Sequence, residues 1–242
     1  MKKILVAIIF LLFALPAHAV DVYISDQGGT HVGSCADNLI YSPSFADGYN
    51  LNYGATVALG IGQEGVLNGY QHVLQRYDIS AIPDQATIQS AEIVMVCSSI
   101  SGTGAGDISV YEIHANNNNW VEGTQNGAVE AGSSCWNDHT YQNSQEWAGG
   151  AGCDLSGTDY YATALATTSV TTTGTKTWTF NATGVADIKD RLDDDDIEVI
   201  FIDAAFSAGN FSTFHSSEAA VTGNRPYLKV TYTLPQPIII RR

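Results

Sequence analysis

Across residues 74–96 apolar and polar side chains alternate on both sides of a bend marked by Pro83, with Ala91, Ile93 and Met95 following one another at every second position. Alternation of period two turns every second side chain to the same face, so this stretch predicts two strands joined at a corner. Arg76 and Asp78 share a face of the first strand, and a charged pair there reads as an internal brace. Shorter strand-like runs occupy 22–25, 56–62, 69–77, 108–115 and 169–181. In 225–234, Leu228, Val230, Tyr232 and Leu234 oppose Tyr227, Lys229 and Thr231, the pattern of a strand packed on one face. Residues 197–204 are apolar on both faces, as expected of a central strand covered on two sides. One helix is predicted, over 183–192: Val185, Ile188 and Leu192 fall on one face and Thr183 stands at the capping position.

Two stretches break the pattern. Residues 26–56 are rich in Gly, Ser, Asn and Asp around Cys35, and from Trp120 to Ala162 the chain is an irregular excursion containing Trp136 and Trp147. Long loops are functional or disordered, and the tryptophans and cysteines argue for order. Many short strands, Gly/Asn turns and one short α-helix define an all-β fold, a jelly-roll β-sandwich with long loops. It is expected to be a single domain over 20–234, followed by a tail, 235–242.

Residues 1–19 carry two lysines, an apolar run, Pro16 and Ala17-His18-Ala19. That is the build of a cleaved secretory signal, too short to anchor in a bilayer. The expected location is extracellular or periplasmic, with no membrane insertion. The chain has 242 residues, and losing Lys2 and Lys3 from its ten basic residues leaves eight against 25 acidic ones. Such a surface repels nucleic acid, which is excluded as a partner, and favours neutral ligands or metal ions. The four cysteines, Cys35, Cys97, Cys135 and Cys153, lie in the exported part. An even count there predicts two disulfides with three connectivities; a short local loop favours Cys135 with Cys153, leaving Cys35 with Cys97. No spacing of Cys and His suits zinc.

Several blocks together resemble the DNRLRE domain, the group that includes carbohydrate-binding module family 96 and modules attached to archaeal disaggregatase-type proteins. They are Asp21-Val-Tyr-Ile-Ser25; Asn52-Tyr-Gly54 with Leu59-Gly60; Arg76-Tyr-Asp78-Ile-Ser80 with Pro83 and Ser90-Ala91; and Trp120-Val-Glu122-Gly123 with Trp136 and Trp147. The series continues through Phe180 to Ile188, Phe214-His-Ser-Ser-Glu218 and Arg225-Pro-Tyr-Leu-Lys-Val-Thr-Tyr232. The resemblance covers almost the whole chain after the signal and implies an extracellular jelly-roll module that binds polysaccharide. With so few Lys and Arg, a neutral glycan is the expected ligand.

Sugar-binding modules stack the C–H face of a pyranose on a flat ring while polar neighbours fix its hydroxyls. Trp136 and Trp147, with Asn137, His139, Tyr141 and Gln145 alongside, form the expected platform; Tyr160 and Tyr161 stand behind them. Tryptophans under a long crossing also serve to plug a core. No cofactor is required, but a structural calcium is admitted: Asp21, Asp26 and Glu218 sit near the first and last strands, where the ends of the sandwich meet. The run Asp193–Asp196 reads as a solvated bend. Catalysis finds little support, because the histidines are dispersed and no carboxylate pair is singled out. The chain therefore reads as non-enzymatic. Two other readings stand beside glycan binding: a filament or surface-layer subunit assembling through 235–242, whose three isoleucines would add as a strand to a neighbour, and a polysaccharide hydrolase.

Overall fold

The computed structural model describes residues 18–42, 48–64, 69–143, 145–204 and 208–235. Residues 1–17, most of the stretch read as the signal, and 236–242, all but the first residue of the tail read over 235–242, lie outside the described residues. In chain order the strands are β1 (Ala19–Ile24), β2 (His31–Val32), β3 (Cys35–Ser42), β4 (Leu51–Asn52), β5 (Ala58–Glu64), β6 (Gly69–Asp78), β7 (Thr87–Ser101), β8 (Gly106–Glu112), β9 (Ala128–Val129), β10 (Asp138–Thr140), β11 (Gln145–Glu146), β12 (Ala166–Val170) and β13 (Gly174–Thr179). Helix α1 (Ala182–Asp190) follows, then β14 (Asp196–Asp203), β15 (Phe211–His215) and β16 (Tyr227–Thr233). Among the described residues no helix is long and apolar enough to cross a membrane.

The fold is an all-β sandwich. One layer runs β3-β6-β14-β8-β12 and the other β13-β7-β16-β1-β2, and the β6-β5-β15-β7 pairings carry hydrogen bonds round a corner between them. The two strands that flank Pro83 are β6 and β7, so the predicted corner passes the chain from one layer to the other. Between the layers lies the main core, in which Leu39, Val73 and Phe201 sit side by side on β3, β6 and β14, facing Ile93, Met95, Trp178 and Phe214. Helix α1 packs Ile188 into this core and Val185 against it. Its N-cap is Asn181, whose side chain accepts from the amides of Thr183 and Gly184, so the cap lies two residues before the predicted Thr183.

Strands β3, β6 and β14 are buried on both faces. Ile40, Leu74, Ile200 and Ile202 point the opposite way from Leu39, Val73 and Phe201, into a second apolar cluster with Ile113, Trp120, Trp136, Trp147, Cys153 and Tyr160. The irregular excursion thus lies over the outside of one layer and seals it. This explains why 197–204 carries apolar residues on both faces, with only Glu198 and Asp203 charged.

Of the strands of five residues or more, β3 and β15 were missed in the sequence, as were the two- and three-residue strands β2, β4, β9, β10 and β11. β3 reads as loop because its alternation is interrupted by Asp37 and Asn38, both fully buried polar residues, and β15 is only five residues long. The run 169–181 is not one strand but holds the end of β12, which pairs with β8, and all of β13, which crosses to the other layer and pairs with β7. Arg76 is a brace, but its partners are Glu198 on the neighbouring β14 and the Trp120 carbonyl. Asp78 instead accepts from the amide and hydroxyl of Ser80.

The expected disulfides are replaced by four buried free thiols. Cys35 Sγ is directed at the Ala36 carbonyl and Cys97 Sγ at the Ser99 carbonyl. Cys135 Sγ is directed at Asp138, while Cys153 packs among the tryptophans. Burial pushes all four thiols up, Cys135 to about 11. The loops that seemed to need sulfur staples are held by side-chain hydrogen bonds. Asn38 Nδ2 donates to the Ser134 carbonyl and hydroxyl, and Asn52 Nδ2 to the Glu122 and Ser134 carbonyls.

Candidate functional site

The residues expected to form a sugar platform are mostly internal. Trp136 and Trp147 are 6% and 2% exposed, too little for a pyranose to stack on. Trp147 Nε1 donates to the Cys135 carbonyl at 3.0 Å, and Trp136 lies 5.3 Å from the ring of buried His72. A Cβ at Gly152 would meet the Trp136 ring at 2.6 Å, so the backbone closes directly over the indole. His139 is buried against Trp147, and Asn137 Nδ2 donates to the Asn50 side chain at 2.8 Å. Asn137 and Tyr141 are half-buried and Gln145 is exposed, its side-chain oxygen accepting from the Thr140 hydroxyl. These rings plug the second core because β3, β6 and β14 present an apolar outer face that water would otherwise touch.

Tyr161 is different. At 39% exposure its ring lies 4.8 Å from that of His114, on the rim of an open cleft of about 400 Å³ between the end of the excursion and helix α1. The cleft is lined by Tyr161 and Thr163 on one side, by Thr183 and Asp187 on the helix, and by Glu112 and Arg191 beneath. Arg191 reaches Glu112 at 2.6 Å and Asp194 at 3.0 Å. Burial, and then the adjoining Glu112 carboxylate, push Asp187 up to about 6. The cleft therefore offers one ring, several hydroxyls, a guanidinium and a pair of adjacent carboxyls. Sequence reasoning placed Tyr161 behind the tryptophans and missed the rest, since Glu112, Thr163 and Asp187 come together only through packing of α1 on the sheet.

The three carboxylates proposed for calcium do not meet. Asp21 is exposed on β1, accepting from the Thr231 hydroxyl at 2.6 Å and lying 3.4 Å from Lys229 Nζ. Asp26 is exposed as well, with Oδ2 accepting from the Cys35 amide. Glu218 instead joins Asp37 and Glu122, which the sequence did not single out as ligands. One oxygen from each of the three lies within 4.8 Å of the others. Asp37 is fully buried. Burial first, then Glu218, hold its carboxyl well above the usual range. Glu122 is pushed up to about 7, again chiefly by burial.

No family model matches the chain, and no curated protein matches it either.

Proposed function

We propose that this chain is a secreted, non-catalytic module that binds a neutral glycan in the cleft beside Tyr161. The observation that carries this reading is the pairing of a solvent-facing aromatic ring with a concave polar surface of about 400 Å³, within the size range of small-molecule sites. A flat ring supplies stacking for the apolar face of a sugar, while Thr163, Thr183, Asp187 and Arg191 supply donors and acceptors for its hydroxyls. Glu112, Asp187 and Asp190 make the cleft acidic, which disfavours uronates and sulfated sugars by charge repulsion. A non-catalytic role is supported by the same pair of acids. The Glu112 carboxylate adjoins Asp187 closely enough to push its carboxyl up, whereas glycoside hydrolysis uses carboxyls standing about 5–10 Å apart on either side of the bond.

The test is retention on a panel of insoluble and gel-immobilised neutral polysaccharides. Tyr161→Ala is expected to abolish retention and to leave the thermal midpoint within a few degrees, because the side chain lies on the rim and not in either core. Retention unchanged in that variant, or no retention of the wild type on any member of the panel, overturns the reading. Reducing sugar released on incubation would instead favour a hydrolase.

A further inference from the structure

The Asp37, Glu122 and Glu218 cluster is independent of the Tyr161 cleft and is drawn from three distant parts of the chain. Asp37 lies on β3, Glu122 follows Trp120 at the start of the excursion, and Glu218 lies in the turn between β15 and β16. Each acid has one oxygen anchored. Asp37 Oδ2 accepts from the Ser217 amide at 2.7 Å, Glu122 Oε1 from the Asp37 amide at 2.7 Å, and Glu218 Oε1 from the Ser217 hydroxyl at 2.8 Å. Two further oxygens, Asp37 Oδ1 and Glu218 Oε2, are sealed from solvent and have no hydrogen-bond donor among the described residues. A buried acceptor left unpaired costs about 1–3 kcal/mol, and more when charged, so two such oxygens on acids that already stand together call for a positive partner. Arg76, the cation whose field reaches Glu122, is committed to Glu198 and the Trp120 carbonyl.

We propose that Asp37, Glu122 and Glu218 bind one calcium ion, which clamps β3, the excursion and the β15–β16 turn together. The donors are all hard oxygens, as calcium prefers. At calcium–oxygen distances of about 2.3–2.6 Å, ligands on opposite sides of the ion stand roughly 4.6–5.2 Å apart. The three oxygens lie within 4.8 Å of one another, close enough for one calcium ion to touch all three, whereas magnesium dehydrates reluctantly and is seldom held by an all-protein cage. The cradle is rigid before any ion arrives. Asn52 Nδ2 holds the Glu122 carbonyl and Asn52 Oδ1 accepts from the amides of Gly54 and Gln125. Position 54 has to be glycine, since a Cβ there would meet the Glu122 carbonyl oxygen at 2.0 Å. Pre-organisation of this kind lowers the ordering cost of binding.

The experiment is calorimetric titration of the chelator-treated full chain with calcium chloride, paired with thermal melts in calcium, magnesium and chelator. The expected result is one calcium per chain, a midpoint raised by about 5–10 °C at a hundredfold excess over Kd, and a much smaller response to magnesium. Glu218→Gln, in a turn outside both apolar cores, is expected to weaken calcium affinity at least about tenfold, as loss of one charged ligand does. Asp37→Asn is expected to abolish the calcium-dependent shift. An absence of binding heat and of any midpoint change up to about 10 mM calcium overturns the proposal. So does an Asp37→Asn chain more stable than the wild type in calcium, because the cluster would then be a site of plain repulsion. The wild-type titration stands by itself should a variant fail to fold.

Discussion

At the scale of single residues, His72 shows how burial decides chemistry. Its ring is fully buried on β6, and Nδ1 lies 2.9 Å from the Gly152 carbonyl, which fixes the neutral ring with Nδ1 as donor. Burial pulls it down to about 4. The folded chain therefore holds the neutral imidazole, and the sign follows: the contribution to stability is complete above the ordinary value of about 6.5 and is lost as pH falls towards 4. A gap of about 2.5 units corresponds to roughly 3 kcal/mol. Urea midpoints measured from pH 7 to pH 4 should fall more steeply in the wild type than in His72→Gln, and parallel curves would exclude this account. The same histidine was visible in the sequence only as one of several dispersed ones, because nothing local to it names the Trp136 ring and the Gly152 carbonyl that enclose it.

Among the elements, the excursion that follows β8 changes meaning most between sequence and structure. Its tryptophans, glycines and polar residues match the composition of a binding loop, yet it serves as the outer wall of the β3-β6-β14 layer. The clue lay elsewhere in the chain: 197–204 is apolar on both faces, so something apolar had to cover its second side. Trp136 and Trp147 are that cover. Trp147→Ala is expected to cost about 3–5 kcal/mol, read as a lowered denaturant midpoint with glycan retention per folded molecule unchanged. A stable variant that has lost retention would restore the indole to a binding role. Helix α1 was legible because its apolar spacing is local, and only its cap was misplaced, since Asn181 and Thr183 are both good capping residues.

For the molecule as a whole, the structure replaces sulfur by hydrogen bonds and aromatic packing as the means of holding long loops. Chain denatured in guanidinium under non-reducing conditions should titrate four free thiols, and reductant should leave its thermal midpoint unchanged; two or fewer thiols would show that bridges form. The pattern of side chains alone was sufficient for the all-β class, the β6–β7 corner, the inward faces of β14 and β16, and the position of α1, because alternation and helical spacing depend on nearest neighbours along the chain. It was insufficient for β3, where two buried polar residues, Asp37 and Asn38, disguise the alternation and are explained only by Glu122, Ser134, Ser217 and Tyr53 arriving from elsewhere. It was insufficient also for both sites. The cleft needs α1 laid against the sheet, and the three-carboxylate cradle needs residues 37, 122 and 218 brought within bonding range of one ion. Long-range contact of this sort is a property of the sandwich and its wrapping loop, and no window of sequence contains it.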